Sequence, residues 1–433
     1  MSNIKDFLKF LKTSKTAFHA CAEFENILNE NGFIKLSESQ KWELKRGNKY
    51  YLTRNNASLV AFTIPNDNIL SYNITAAHLD SPTFKLKPNF KLDDQRYNKL
   101  STEVYGGPIY NTWFDRPLDI AGRVMVEENG NIKPVLFSFD KPVCMIPNLP
   151  IHYNREVNNG VKISPTEITP IYGDRNISNA NLLLDIAKKL NVKPEQILSY
   201  DLFLALIDRG QLLDDFIMAP QIDNLECSYG LIKALTEANG SKAINICALF
   251  DSEEIGSRTR DGAASTLLLD IIERISFSLG YNLEENKIAL ANSFIISADN
   301  AQGFNPIYPA KYDLLNPGYL NSGIVIKNAA RGSYTTDAFS SAYFKQICKA
   351  ANALYQDNTN RSDMPGGSTL GAISLANVSI PSVDIGLAQL AMHSAYETAG
   401  VKDLDYLIDA IKAFYSSNIL SNMDGDLKYE IRR

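Results

Sequence analysis

Apolar residues in this chain follow two rhythms, and the switches between them divide it. The opening stretch, MSNIKDFLKFLKTSKTAFHACAEF, carries charges through its apolar positions and reads as amphipathic helix. LVAFTI and YNITAAH are β-branched or aromatic runs of strand length. From about residue 90 to 220 the runs are short and strand-like, broken by Gly-Gly, Asp-Arg-Pro and Asn-Gly turns. After residue 220 a helical spacing returns at Leu225, Tyr229, Ile232 and Leu235. Strands INICALF, SFIISA and GIVIK then alternate with helices expected at about 262–279, 336–355, 367–376 and 403–418. Alternating strands and helices predict an α/β fold: a mixed, mostly parallel sheet with helices on both faces. The β-rich stretch, 91–219, reads as an insert into one discontinuous unit made of 1–90 and 220–433.

Composition narrows the class. At 433 residues the chain exceeds one typical core, and 45% apolar content is ordinary for a globular protein. A net charge of −6 with no basic tract argues against a nucleic-acid partner. No window approaches the roughly 18 apolar residues of a membrane span, and no signal-peptide core is present. The five cysteines are scattered without a C-x-x-C, which points to reduced thiols and a cytoplasmic location.

Against that background six metal-type side chains stand out: His78 in AAHLD, Asp223 in QIDNLE, Glu253 and Glu254 in FDSEEIGS, Asp299 in SADN and His393 in LAMHS. Each alone has a bland reading, as a structural histidine, a solvated Glu pair, or a turn or cap aspartate. Together they fall at strand ends or loops, where open α/β sheets bind ligands. Only four histidines exist in the chain, and two are here. Two His and three carboxylates, one of them bridging, give each of two ions three protein ligands. Glu253 and Glu254 lie past a strand and before Gly256, where side chains need not alternate, so one can bind metal while the other takes a proton from water. Asp80 is placed to orient His78. The pattern points to a two-metal peptidase.

The chain resembles the aspartyl aminopeptidases, dinuclear zinc exopeptidases, nearly end to end. The likeness is carried by AAHLDSPTFKLKP, GGPIYNTWFDRPLDIAGRV, IPNLPIHYNREVN, IDNLECSYG, FDSEEIGSRTRDGA, SADNAQGFNP, MPGGSTLGAI and GLAQLAMHSAYE. The resemblance implies that His78 and Asp299 bind one ion, Glu254 and His393 the other, and that Asp223 bridges them. It implies Glu253 as general base and Asp80 as the orienting carboxylate. His152 matches a family histidine that reaches a neighbouring subunit's active site; its bland alternative is a loop histidine beside Tyr153. Gly366 and Gly367 match a motif where backbone approaches substrate, against a plain turn capped by Ser368 or Thr369. The insert would be a dimerisation domain within a homo-oligomer, a dodecamer, acting on peptides. Zn2+ is the expected metal, with Co2+ or Mn2+ also suited to these ligands.

One region departs from the family. Acidic-specific relatives read P-Q-L-A-M-H-S-x-R-E, whereas this chain has Ala388 and Tyr396 in place of the Pro and the Arg. The metal ligands are kept, so the chemistry stands and the preferred first residue becomes the open question. Lys327 in GIVIKNAARG is the candidate partner for an acidic substrate side chain, with a solvated lysine as its alternative. Release of an N-terminal Asp or Glu is the first expectation. A broad or leucine-preferring aminopeptidase, or a deacylase, is the second. A non-catalytic shell protein is the third, and no ligand has been lost to support it.

Overall fold

The computed structural model describes residues 2–431 except 68–69, 93, 161, 178–179, 365, 368 and 375–376. Helices α1 (Ser2–Thr13) and α2 (Ala17–Glu30) lead into strands β1 (Ile34–Lys35), β2 (Lys49–Arg54), β3 (Ser58–Thr63) and β4 (Tyr72–His78). Then come β5 (Thr83–Leu92), β6 (Tyr97–Tyr105), β7 (Leu118–Glu128), β8 (Asn131–Ser138), β9 (Ile171–Asp174), α3 (Leu182–Leu190) and β10 (Ile197–Leu206). Short strands β11 (Gln211–Leu212) and β12 (Phe216–Ala219) precede α4 (Ile222–Glu237), β13 (Ile244–Phe250), α5 (Leu267–Ser278), α6 (Leu283–Ala291), β14 (Phe294–Ala298) and β15 (Ala301–Gln302). The chain continues through β16 (Ile324–Asn328), α7 (Ala338–Ala351), β17 (Tyr355–Thr359), α8 (Leu370–Ser374), β18 (Ser382–Gly386), β19 (Ala388–Leu390), β20 (Glu397–Gly400) and α9 (Asp403–Tyr415). It ends in the hairpin β21 (Ser417–Met423) and β22 (Asp426–Ile431).

The central sheet runs β1-β2-β3-β13-β4-β14-β18-β16-β17. Its middle, β13-β4-β14-β18, is parallel throughout. Both faces are covered, so β4 and β13 are buried at every position and read as mostly apolar runs, with Asn73, Thr75 and Asn245 buried among them. Alternate residues serve opposite faces: Cys247 and Leu249 pack with α1, α2, α4, α7 and α9, while Ile246, Ala248 and Phe250 pack with α5, α6 and α8. This is the expected α/β class. Among the described residues no helix is long and apolar enough to cross a membrane, and all five cysteines are buried free thiols.

A six-stranded antiparallel sheet, β8-β7-β10-β5-β6-β9, has its own apolar cluster under α3. The β7–β8 turn is Asn129-Gly130, with φ of 55° and 78°, the left-handed pair that a two-residue hairpin needs. This sheet begins at Thr83, ahead of residue 91, because β5 pairs with β6 and β10. At the other end β12 pairs with β20 in a third sheet, β11-β12-β20-β19-β15, that ties the chain before α4 to the chain around His393.

Element ends differ from the sequence reading where local chemistry competes. Helix α6 went unread because Leu283 and Ile288 face solvent while Asn286 is buried against the Tyr72 hydroxyl, which erases an apolar stripe. The expected 336–355 helix stops at Ala351, where Asn352 turns left-handed, and the next residues form edge strand β17. The expected 403–418 helix stops at Tyr415 and Ser417 starts β21. Of 367–376, only Leu370–Ser374 is seen as helix; Ser368 and residues 375–376 lie outside the described residues.

Candidate metal centre

Three adjacent parallel strands end at one edge. His78 is the last residue of β4 and pairs in register with Phe250, the last of β13. Glu253 and Glu254 follow in a tight 3-10 turn, between Ser252 at φ 65° and Gly256 at φ 94°. Asp299 directly follows β14. Asp223 is brought there by the first turn of α4, which is pinned from both sides. Ser81 Oγ donates to the Asp223 carbonyl at 2.7 Å, Ser228 Oγ to the His78 carbonyl at 2.8 Å, and Asn224 Nδ2 to the Ala298 carbonyl at 2.9 Å. His393 comes from the loop between β19 and β20, in a left-handed conformation at φ 67°.

These side chains meet around a cavity of about 160 Å³. His78 Nε2 lies 3.5 Å from Asp223 Oδ1 and 3.4 Å from Asp299 Oδ1. His393 Nε2 lies 3.7 Å from Asp223 Oδ2 and 3.5 Å from Glu254 Oε2. Asp223 therefore turns one oxygen toward each histidine. Ligands about 2.0–2.1 Å from a tetrahedral zinc lie about 3.3 Å from one another, so both groupings have the spacing of donors around an ion. One ligand atom each from His78, Asp223 and Glu254 fits within 4.8 Å. Asp223 Oδ1 and Glu254 Oε1 are buried without a hydrogen-bond partner, a costly state for carboxylate oxygens that a cation would relieve.

The electrostatics agree. Burial alone would lower the His78 pKa, but Asp223, Asp299 and Asp80 hold it well above the usual value. Burial and the Asp299 charge raise Asp223, and burial and Asp223 raise Glu254. Burial lifts Glu253 to about 7, with His78 pulling the other way. Ionised together, four acids this close and this buried repel one another, and a cation among them would offset that cost.

The orientation of both rings is set from behind. His78 Nδ1 lies 3.0 Å from the Asp80 main-chain carbonyl, closer than the 3.5 Å to its carboxylate, which leaves Nε2 for the cavity. The Asp80 carboxylate instead accepts the amides of Glu253 (3.0 Å) and Glu254 (3.1 Å) and the Tyr105 hydroxyl (2.9 Å). His393 Nδ1 donates to the Gly107 carbonyl at 3.1 Å. Here the Gly-Gly turn has a use: at Gly106 (φ 69°) a Cβ would sit 3.1 Å from Glu254 Cβ, and at Gly107 3.5 Å from His393 Nδ1.

Lys327 is buried, not solvated. Its Nζ donates to the Asn300 carbonyl at 2.9 Å and lies 3.4 Å from Asp299 Oδ2. It lines the cavity with Tyr334, Asn358, Asn360, Gly367 and Thr369. Gly366 lies beside Asn360 and Tyr334. The Thr369 hydroxyl donates to Asp384 Oδ1 at 2.7 Å. His152 is exposed in a loop and does not line its own chain's cavity. Neither Ala388 nor Tyr396 lines it: Ala388 is buried in β19, and Tyr396 packs with the antiparallel sheet's cluster and donates to Asp208 Oδ1 at 2.9 Å. Sequence reasoning gave no role to Glu397, a buried acid four residues after His393; its place at the end of the motif GLAQLAMHSAYE was the available signal.

Comparison with known proteins gives a consistent picture. Residues 10–415 match the family model for aminopeptidase I zinc metalloprotease (M18). The chain is 43% identical to a probable M18 family aminopeptidase 2 of Clostridium novyi, covering 95% of this chain and 98% of that one. It superposes with a TM-score of 0.92 on a chain from the cryo-EM structure of the Ape4 and Nbr1 complex, at 33% identity, covering 96% of this chain and 85% of that one. It also superposes on a chain from the structure of the S. cerevisiae mApe1 dodecamer, with a TM-score of 0.82 and 26% identity, covering 95% of each chain.

Proposed function

Because the chain belongs to the aminopeptidase I (M18) zinc metalloprotease family, and so is a zinc aminopeptidase, we propose that it works with two metal ions and prefers an N-terminal Asp or Glu. One observation carries the two-ion reading: Asp223 stands between His78 and His393, at 3.5 and 3.7 Å, with a different oxygen toward each. In this reading His78 and Asp299 would hold one ion and Glu254 and His393 the other, with Asp223 available to both. Bound divalent cations supply Lewis acidity toward the scissile carbonyl and lower the pKa of water toward ~7.

The chain's own residues do the rest. Glu253 lines the cavity and is not needed as a ligand. It takes the proton of the attacking water and returns it to the leaving amine. Lys327, whose ammonium has a third N–H beyond those toward Asn300 and Asp299, and the Asn360 amide line the cavity as donors for a substrate side-chain carboxylate. This cationic, donor-bearing wall favours an acidic residue over leucine. The antiparallel sheet and its loops form a dimerisation domain in a homo-oligomer, and His152 serves a neighbouring copy's cavity. The exposure of Ile151, His152 and Tyr153 together supports that placement.

The test compares release of Asp, Glu, Leu and Lys from matched peptides, with Glu253→Gln alongside. Asp or Glu should be released fastest, and Glu253→Gln should lose ~100- to 10,000-fold in kcat. Faster release of Leu would overturn the acidic preference, and an active Glu253→Gln would remove the assigned base.

A further inference from the structure

Glu397 opens β20 and is 2% exposed. It does not line the cavity where the metal-type side chains meet, yet its carboxylate is shared between the two segments that carry Asp223 and His393. Oε2 accepts the main-chain amide of Asp223 at 3.0 Å, and Oε1 accepts that of His393 at 2.7 Å. Gln389 Nε2, also buried, adds a longer contact to Oε1 at 3.4 Å. Topology explains why one residue reaches both. Glu397 pairs with Ala219 at the end of β12, four residues before Asp223. It also closes the loop from β19, where Ala391 (φ 58°) and His393 (φ 67°) are both left-handed. Non-glycine residues rarely adopt that conformation, and it persists only where surroundings impose it. Here the loop turns the His393 amide inward onto Glu397. Hydrogen bonds from amides to a buried carboxylate are the strong kind.

We propose that Glu397 is a positioning residue that fixes the spacing between Asp223 and His393, and so sets the affinity of the ion they share. The proposal rests on the ligand assignment above. It gives the centre two matching supports. Asp80 holds the amides of Glu253 and Glu254 on one side, and Glu397 holds those of Asp223 and His393 on the other. Glu397 lies outside the cavity lined by His78, Glu253, Glu254 and His393, and it reaches Asp223 and His393 through their main-chain amides.

The experiment is a Co2+ and Zn2+ titration of the full chain carrying Glu397→Gln, with His393→Ala and wild type beside it, read by metal content and the visible Co2+ spectrum. In the Gln variant one acceptor becomes an NH2 facing an amide. We expect the first ion to bind as in wild type, the second roughly 10- to 100-fold more weakly with an altered spectrum, and excess metal to restore much of kcat without a change in KM. Wild-type affinity for both ions with an unchanged spectrum overturns the proposal. If His393→Ala also binds two ions normally, the ligand assignment itself has failed, a separate result. Should Glu397→Gln fail to fold by circular dichroism, Glu397→Asp keeps the charge and shortens the reach. A weaker second ion there supports the role, and an unchanged one overturns it.

Discussion

His78 and His393 stand at nearly the same distance from Asp223, 3.5 and 3.7 Å, but different forces hold them there. The His78 side chain is 1% exposed and ends a buried parallel strand whose neighbours fix its height by register. The His393 side chain is 33% exposed and sits in a left-handed loop. That loop is stitched to the segment between β6 and β7. Ile109 N donates to the His393 carbonyl at 2.9 Å, His393 Nδ1 to the Gly107 carbonyl at 3.1 Å, and Ala395 N to Thr112 Oγ1 at 2.9 Å. One half of the centre is a by-product of folding the sheet. The other half exists only when a remote segment docks. Stability should therefore depend on the first half, and metal affinity should be adjustable through the second.

The largest effect should come from removing the histidines themselves. Asp223, Asp299 and Asp80 favour the protonated His78 ring against the cost of its burial. Its raised pKa stabilises the fold below about pH 6.5, and that contribution fades as pH rises through the folded value. His78→Ala should cost the chelated protein about 3–5 kcal/mol at mildly acidic pH, the usual penalty for leaving buried charges unpaired. His393→Ala should stay within about 1 kcal/mol, as exposed pairs do. Both should abolish peptidase activity. Denaturant melts in the presence of chelator decide the matter, and equal losses would break the proposed asymmetry.

A smaller and pH-dependent effect belongs to Glu226, behind the His78 half. It is fully buried on α4, with Oε2 accepting from Asn300 Nδ2 at 3.1 Å and Oε1 without a partner. Burial, and secondarily Asp403, raises its pKa to about 8. Below about pH 4.3 the acid is neutral folded and unfolded alike. Between about pH 4.3 and 8 only the unfolded chain ionises, so stability falls by up to about 1.4 kcal/mol per pH unit, and it levels off above. Glu226→Gln should flatten that slope. Its melting temperature relative to wild type should climb with pH across the window; a constant difference would mean Glu226 titrates normally.

How much of this could be read from the chain depends on which half is in question. YNITAAH, INICALF and SFIISA are largely apolar runs with no polar alternation because their strands are covered on both faces, and the residues ending or following them could be read straight to one sheet edge. The acids and histidines carried the chemistry, and the family likeness carried their roles. Glu397 escaped because its importance lies in two amides, and amides leave no mark on a sequence. Gly106 and Gly107 were legible as a turn, but not as the surface against which Glu254 and His393 rest. Ala388 and Tyr396 looked like changes in substrate preference; their side chains lie away from the cavity, in β19 and in the antiparallel sheet's cluster. Long-range docking of loops is what a one-dimensional pattern encodes least.

The finest test sets one hydrogen bond from each half against the other. Thr112 Oγ1 accepts the Ala395 amide and donates to the Ile109 carbonyl at 2.6 Å, so it couples the docking segment to the His393 loop. Ser228 Oγ donates to the His78 carbonyl at 2.8 Å, inside the packed interface of α4 and β4. Each bond is worth about 1 kcal/mol net. Ser228→Ala should subtract that from global stability and leave zinc binding alone, because the strand register still fixes His78. Thr112→Val should do the reverse: an almost unchanged melt, and a second ion bound about fivefold more weakly, the equivalent of about 1 kcal/mol. If Thr112→Val instead lowers stability without touching metal affinity, the docking segment is scaffold only, and the His393 half is as preformed as the other.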